Sequence, residues 1–307
     1  MSLLEGPSVK LTEMIKQELG EGPGDLERGV RDLRSMCAAN PYLPRPETIE
    51  TKLLEHFIRG CRMNFERARK KFEAFCYAHS RYRDLYEHRS LNEPPLNDVC
   101  KFIDIVTLPK LTDEGLRVTI FRIRAGYPES AADINAAVRA ILLISDTRML
   151  DETLIAGDVF IWETSQMRAS LAARVAAGAG AVRRGIHLAQ AAYPQRMRRI
   201  HVVGAPSLIA SSVNFMRSCV NEKVKNRYYL HQKVEDLFEH IPARIFPAEW
   251  GGDEDSFDVL VKKWRRRVDE LRDGLRKLSE LCNVPPEPKL DNDIYGTIGS
   301  FRKLDID

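Results

Sequence analysis

The sequence predicts an α/β protein built on a mixed, mainly parallel sheet with crossover helices, preceded by a small all-helical domain. Two patterns carry this. Apolar residues recur at helical spacing through most of the first ninety positions, and short β-rich runs then alternate with long helices, as a sheet with crossovers requires. A Glu93-Pro94-Pro95 linker separates the two patterns. The expected division is 1–92 for the helical domain, 93–253 for the α/β domain and 254–307 for a C-terminal amphipathic helix and tail.

Leu11, Met14, Ile15 and Leu19 form the first helical stripe, and the GEGPG run from Gly20 to Gly24 ends it. Leu26, Val30, Leu33 and Cys37 mark a second helix, closed by Asn40-Pro41. A third is expected from Thr48, burying Leu53, Leu54, Phe57 and Ile58, and a fourth from Asn64 to Tyr86, burying Phe65, Ala68, Phe72, Phe75 and Cys76. Beyond the linker, Leu116 to Arg124 alternates apolar and charged residues, which predicts a half-buried strand. Ala131 to Leu150 reads as a helix, Gly157 to Glu163 as a strand, Gln166 to Ala192 as an alanine-rich helix and Arg199 to Val203 as a further strand. Ser207 to Ser218 is apolar at helical spacing and almost uncharged, the composition of a helix that is buried or that lies as a movable lid over an apolar space. Phe257, Leu260, Trp264, Val268, Leu271, Leu275 and Leu278 make one stripe of a helix from Asp255 to Leu281, followed by a tail broken at Pro285, Pro286 and Pro288.

Composition narrows the function. With 47 basic and 44 acidic side chains among 307 residues, net charge is only +3, so an anionic partner must be met by a local patch. No apolar run approaches the ~20 residues of a membrane span. No secretory signal is seen, and Ser2 stands where myristoylation needs glycine, so a cytoplasmic protein that visits membranes peripherally is expected. The six cysteines are scattered without a CxxC pair, which points to free thiols.

No catalytic constellation emerges. Gly178, Gly180 and Gly185 lie inside a helical stretch, where small-residue packing explains them better than a dinucleotide fingerprint. None of the seven histidines has metal-ligand spacing, and each reads as a surface or satisfied core residue. The KKWRRR run from Lys262 to Arg267 flanks a buried Trp264, as cations on a docked amphipathic helix do. Lys223 and Arg227, spaced i, i+4, are expected on one helical face, with Arg196, Arg198 and Arg199 upstream. Cations beside an apolar lid suit a protein that meets anionic lipid, each contributing about 1 kcal/mol near the surface.

Three blocks in order resemble the CRAL-TRIO (Sec14-like) lipid-transfer family, in the branch of alpha-tocopherol transfer protein and the retinaldehyde-binding proteins. Leu53 to Phe75 resembles its N-terminal helical module, Tyr193 to Pro206 (YPQRMRRIHVVGAP) its YPxRxxxIHxxNxP strand, and Ile241 to Gly252 (IPARIFPAEWGG) its closing IPxxxLPxEYGG block. Gly204 stands in place of the asparagine before the strand's proline, and Arg217 to Val220 replaces the block that follows the lid. The resemblance implies a hydrophobic pocket closed by a lid helix and lined by Ala140, Ile144, Phe160, Trp162, Leu188, Tyr193, Ile200, Ile209, Val213, Met216 and Val220. The family's polar pocket serines fall at Ala140 and Ile144, which favours a ligand with few hydroxyls, such as a retinoid, carotenoid or tocopherol. Similarity to phosphoinositide-responsive members implies a head-group site at Arg62, Arg196, Lys223 and Arg227, with Arg59 beside it. The expectation is a monomeric carrier that is not an enzyme, uses no cofactor besides its lipophilic ligand and binds no nucleic acid. Alternatives are a phospholipid or phosphatidylinositol transfer protein, a non-transporting scaffold or GTPase-regulatory module, and an enzyme of lipid metabolism.

Overall fold

Ser8 opens the first helix by accepting the Leu11 N–H, and Gly20, at φ 71°, closes it in the left-handed conformation that glycine adopts without strain: this is α1 (Val9–Leu19). The computed structural model describes residues 2–87, 89–204, 210–220 and 222–281. Helices α2 (Asp25–Ala39), α3 (Thr51–Gly60) and α4 (Phe65–Arg81) follow. The helix expected to run unbroken to Tyr86 is interrupted at Tyr82, whose φ and ψ of −100° and 54° leave the helical region, and α5 (Arg83–Tyr86) resumes beyond it. Phe57 meets Phe72 and Phe75 edge-on at 5.2 and 5.4 Å, all three fully buried. After α6 (Leu96–Val99) the chain enters the sheet.

Among the described residues, five strands lie in sequence order: β1 (Ile103–Leu111), β2 (Leu116–Ile123), β3 (Gly157–Glu163), β4 (Met197–Val203) and β5 (Tyr228–His231). Among these described strands only β1 and β2 pair antiparallel, so the expected mixed, mainly parallel α/β sheet is present. The crossovers are α7 (Ile134–Asp151), α8 (Ala169–Ala177) with α9 (Ala179–Ala192), and α10 (Ala210–Ser218) with α11 (Glu222–Lys225). Gly178 divides α8 from α9, where one helix was expected; a β-carbon there would come within 2.9 Å of Ile134. A break at Leu271 likewise splits the C-terminal helix into α12 (Phe257–Glu270) and α13 (Arg272–Leu281). Trp264 is buried on α12 and donates its indole N–H to the Thr107 carbonyl (2.8 Å), so the apolar stripe docks on β1 as its spacing predicts.

Burial of β2 corrects the expectation of a half-buried strand. Both its faces are covered, because α12 closes the side on which Arg122 lies over Phe257, 3.8 Å from the ring. Arg117, on the other face, is fully buried and spans to Glu152 (2.9 and 3.1 Å), to the Leu108 and Pro109 carbonyls and to Glu5 O (2.8 Å). Arg148 joins the same network through Glu152 (2.9 Å) and Asp158 (2.8 Å). Burial alone would raise the Glu152 carboxyl, but Arg117 and Arg148 outweigh it and hold the group at about 2.

The helix α7 stands between two cores. Ala140 and Ile144 face the sheet, whereas Val138 and Leu142 pack with Leu188, Ala192 and Tyr193 against the N-terminal helices. Asp146 anchors that second contact, accepting from His79 (2.9 Å), Tyr193 (2.7 Å) and Arg89. Gly185 lets α9 lie close on α7, since a β-carbon there would stand 2.7 Å from Val138.

Candidate functional site

Strand pairing places Phe121, Phe160, Trp162, Ile200 and Val202 on one face of the sheet, because Trp162 lies between Phe121 and Val202, and Phe160 beside Ile200. Phe121 stacks on Trp162 at 4.2 Å and meets Phe160 edge-on at 5.3 Å. β3 is the middle strand, and its residues Val159 and Ile161, on the opposite face, are wholly buried. Phe160 and Trp162 nevertheless keep part of their surface accessible. Neither side chain is therefore wholly covered by protein atoms.

The helix α10 lies over this face beside α8. Val213, buried at 7%, packs on Val202 with Trp162, Met167 and Tyr228 around it. Met216 and Val220 are half-buried farther along the same segment. Gln190 of α9 donates to the Cys219 carbonyl at 3.3 Å, tying the end of this segment to the body. Ala140 and Ile144 belong to the core that Phe160 and Trp162 pack against. Ile200 is buried at 5% beside Phe160, and Ile209 lies outside the described residues.

Two expected lining residues are placed elsewhere. Leu188 and Tyr193 sit in the second core, and the Tyr193 hydroxyl is committed to Asp146 in full burial. Phe121, Met167, Val202 and Tyr228 join the site without having been expected there. Phe121 and Val202 share the alternation of their strands, but only the strand order reveals that they flank Trp162. Tyr228 opens β5.

The cations converge on the opposite end of β4. Arg62 donates to the Glu18 carbonyl (2.8 Å), Arg196 to the Glu18 carboxylate (3.0 Å), and Arg198 to that carboxylate as well. Arg59 grips Glu21 with two bonds of 2.8 and 2.9 Å. Burial holds Arg196 below its ordinary value; Glu18 opposes the shift, and neighbouring Arg198 and Arg62 add to it. Its Nη1 is buried without a protein partner, at a cleft also lined by His56, Arg59 and Arg148. Arg227 reaches the same strand end by donating to the Met197 carbonyl. The expectation that Lys223 and Arg227 share a helix face is corrected: α11 ends at Lys225, leaving Arg227 in the turn before β5. Lys223 is exposed on α11. No helix among the described residues is long and apolar enough to cross a membrane.

The chain is 24% identical over 289 residues to alpha-tocopherol transfer protein-like of Mus musculus, covering 92% of this chain and 79% of that protein. The Homo sapiens protein of the same name is 24% identical over 294 residues, with 94% and 81% covered. Clavesin-2 of Homo sapiens is 25% identical over 269 residues, with 87% and 80% covered. Among solved structures, that of Sfh5 aligns with a TM-score of 0.48 at 9% identity, covering 88% of this chain and 99% of that one. The model of the CRAL/TRIO domain matches residues 103–252, a span that begins with β1 and takes in every strand, the crossover helices and the lid. Residues 103–252 of this chain are a CRAL/TRIO domain.

Proposed function

We propose that this chain is a non-enzymatic carrier that encloses one small hydrophobic molecule beneath α10 and releases it at phosphoinositide-containing membranes. The observation that carries the reading is the accessible surface of Phe160 and Trp162 on the middle strand, under an apolar lid. Apolar surface left open there is stabilised by a guest at roughly 25 cal/mol per Å² buried. Ala140 and Ile144 offer no hydroxyl, which suits a tocopherol-, retinoid- or carotenoid-like ligand better than a phospholipid head group. The likeness to proteins named for alpha-tocopherol transfer supports the same ligand class.

Release is an exchange in which no bond is made or broken. In water the lid stays shut, because opening exposes Val213 and the guest. At an anionic membrane the cations at the end of β4 dock and the lid's apolar residues enter the lipid interface. The membrane shifts the equilibrium only by its preference for the open form. The protein would accordingly work in the cytoplasm as a monomer and dock peripherally.

The primary test is native mass spectrometry of the purified chain, followed by solvent extraction. A single co-purifying or acquired lipophile at one per chain is expected; a chain that neither retains nor takes up a tocopherol, retinoid or carotenoid overturns the proposal. Lys223→Ala combined with Arg227→Ala is expected to slow transfer to phosphoinositide vesicles about tenfold while ligand affinity changes less than twofold. Equal transfer rates in a fluorescence assay would remove the two cations from the docking step.

A further inference from the structure

The sheet face turned away from the lid carries three histidines that sequence spacing keeps apart. His201 is on β4, His231 on β5, and His240 follows a 3-10 segment, Val234–Glu239. Pairing sets His201 beside Tyr229 and Val203 beside His231, so both imidazoles leave the sheet on the same side. One ring nitrogen from each histidine lies within 4.8 Å of those of the other two. His201 Nδ1 and His231 Nε2 are 2.8 Å apart. The rings are grouped at centroid distances of 5.0, 5.2 and 5.5 Å, with Tyr229 packed at their edge.

We propose that His201, His231 and His240 form a binding site for a divalent transition metal ion of the zinc class. Three imidazoles from two neighbouring strands and one following loop supply the nitrogen donors such ions favour and leave a fourth position for water. Tetrahedral ligation at ~2.0–2.1 Å spaces the donor nitrogens about 3.3 Å apart. The present separations reach it by shifts on the order of 1 Å. His201 is fully buried and its Nε2 has no protein partner, whereas His231 and His240 are partly exposed, so an ion has a route in from solvent. Asp236 and Glu239 place negative charge near His231. Arg199, the cation next to the cluster, is neutralised by Glu114 at 2.9 Å and donates to the His240 carbonyl. The proposal does not rest on the carrier reading. It has a bearing on it, since β4 precedes α10 and β5 follows it, and an ion would clamp both strands from behind.

The experiment is a titration of the tag-free, full chain with Zn²⁺ against a chromophoric chelator, and with Co²⁺ followed by visible absorption. One equivalent of Zn²⁺ is expected to bind saturably and raise the Tm, and Co²⁺ to give the intense bands of tetrahedral nitrogen ligation. His231→Ala and His240→Ala are each expected to weaken binding at least tenfold, and His187→Ala on α9 to leave it unchanged. Circular dichroism verifies that each variant is folded, and His240→Gln replaces His240→Ala if the latter is not. Absence of saturable binding, or binding that survives unchanged in the His231→Ala, His240→Ala double variant, overturns the site.

Discussion

Glu152→Ala is expected to lower folding stability by about 3–5 kcal/mol, the effect of stranding a buried charge rather than of losing a surface pair. Arg117 is wholly enclosed, and Glu152 is its only carboxylate partner among the described residues. Arg148 would keep Asp158. Urea denaturation at neutral pH measures the loss, and a change under about 1 kcal/mol would show that water or a rearranged chain reaches Arg117. Glu152 and, in the second core, Asp146 predict acid sensitivity. Burial opposes ionisation of Glu152 and Asp146, but paired cations hold both carboxyls at about 2 in the folded chain, against ordinary values of 4.5 and 3.8. The unfolded chain therefore takes up these protons first. The stabilisation is complete above about pH 4.5 and is lost as pH falls toward 2. A stability profile flat between those limits would contradict it.

Trp162→Ala is expected to weaken binding of a tocopherol- or retinoid-like ligand about tenfold. A tryptophan presents roughly 150–250 Å². If about a third of that covers the guest, its removal loses about 1–2 kcal/mol. Phe121, stacked on the indole, would also lose its support. Tyr193→Phe is the informative contrast: its hydroxyl serves Asp146 in the other core, so ligand affinity should hold while stability drops. Equilibrium binding of a radiolabelled ligand separates the two. An affinity for the Trp162 variant within twofold of the parent would take Trp162 out of the lining.

Much of the sheet was readable because its apolar runs are short and flanked by breakers. Gly157–Glu163 begins and ends where its composition says it should. β1 was passed over because Asp104 and Pro109 interrupt its apolar pattern. In the fold Asp104 is buried under Arg122 and Arg124, both at 2.6 Å, and Pro109 lies toward the end of an edge strand, where its missing N–H is tolerated. Long-range pairing of this kind leaves no local mark. For the same reason Arg117 looked like a solvent-facing position of an alternating strand. In the candidate site, Trp162 and Val213 were legible from composition and family resemblance and do meet across the lid. Leu188 and Tyr193 face the other way because α9 packs outside α7, a layer order that no residue spacing encodes.

Glu18 has a consequence for the basic end of β4. Arg196 and Arg198 already hold its carboxylate, and Arg62 its carbonyl, so α1 supplies the patch with a built-in counter-ion. An incoming phosphate gains only the difference between its own grip on these arginines and that of a tethered rival. On the proposed docking step, singly charged head groups would compete poorly, while clustered phosphates would displace the carboxylate. On that proposal, the amino-terminal helix would act as a selectivity filter for charge density.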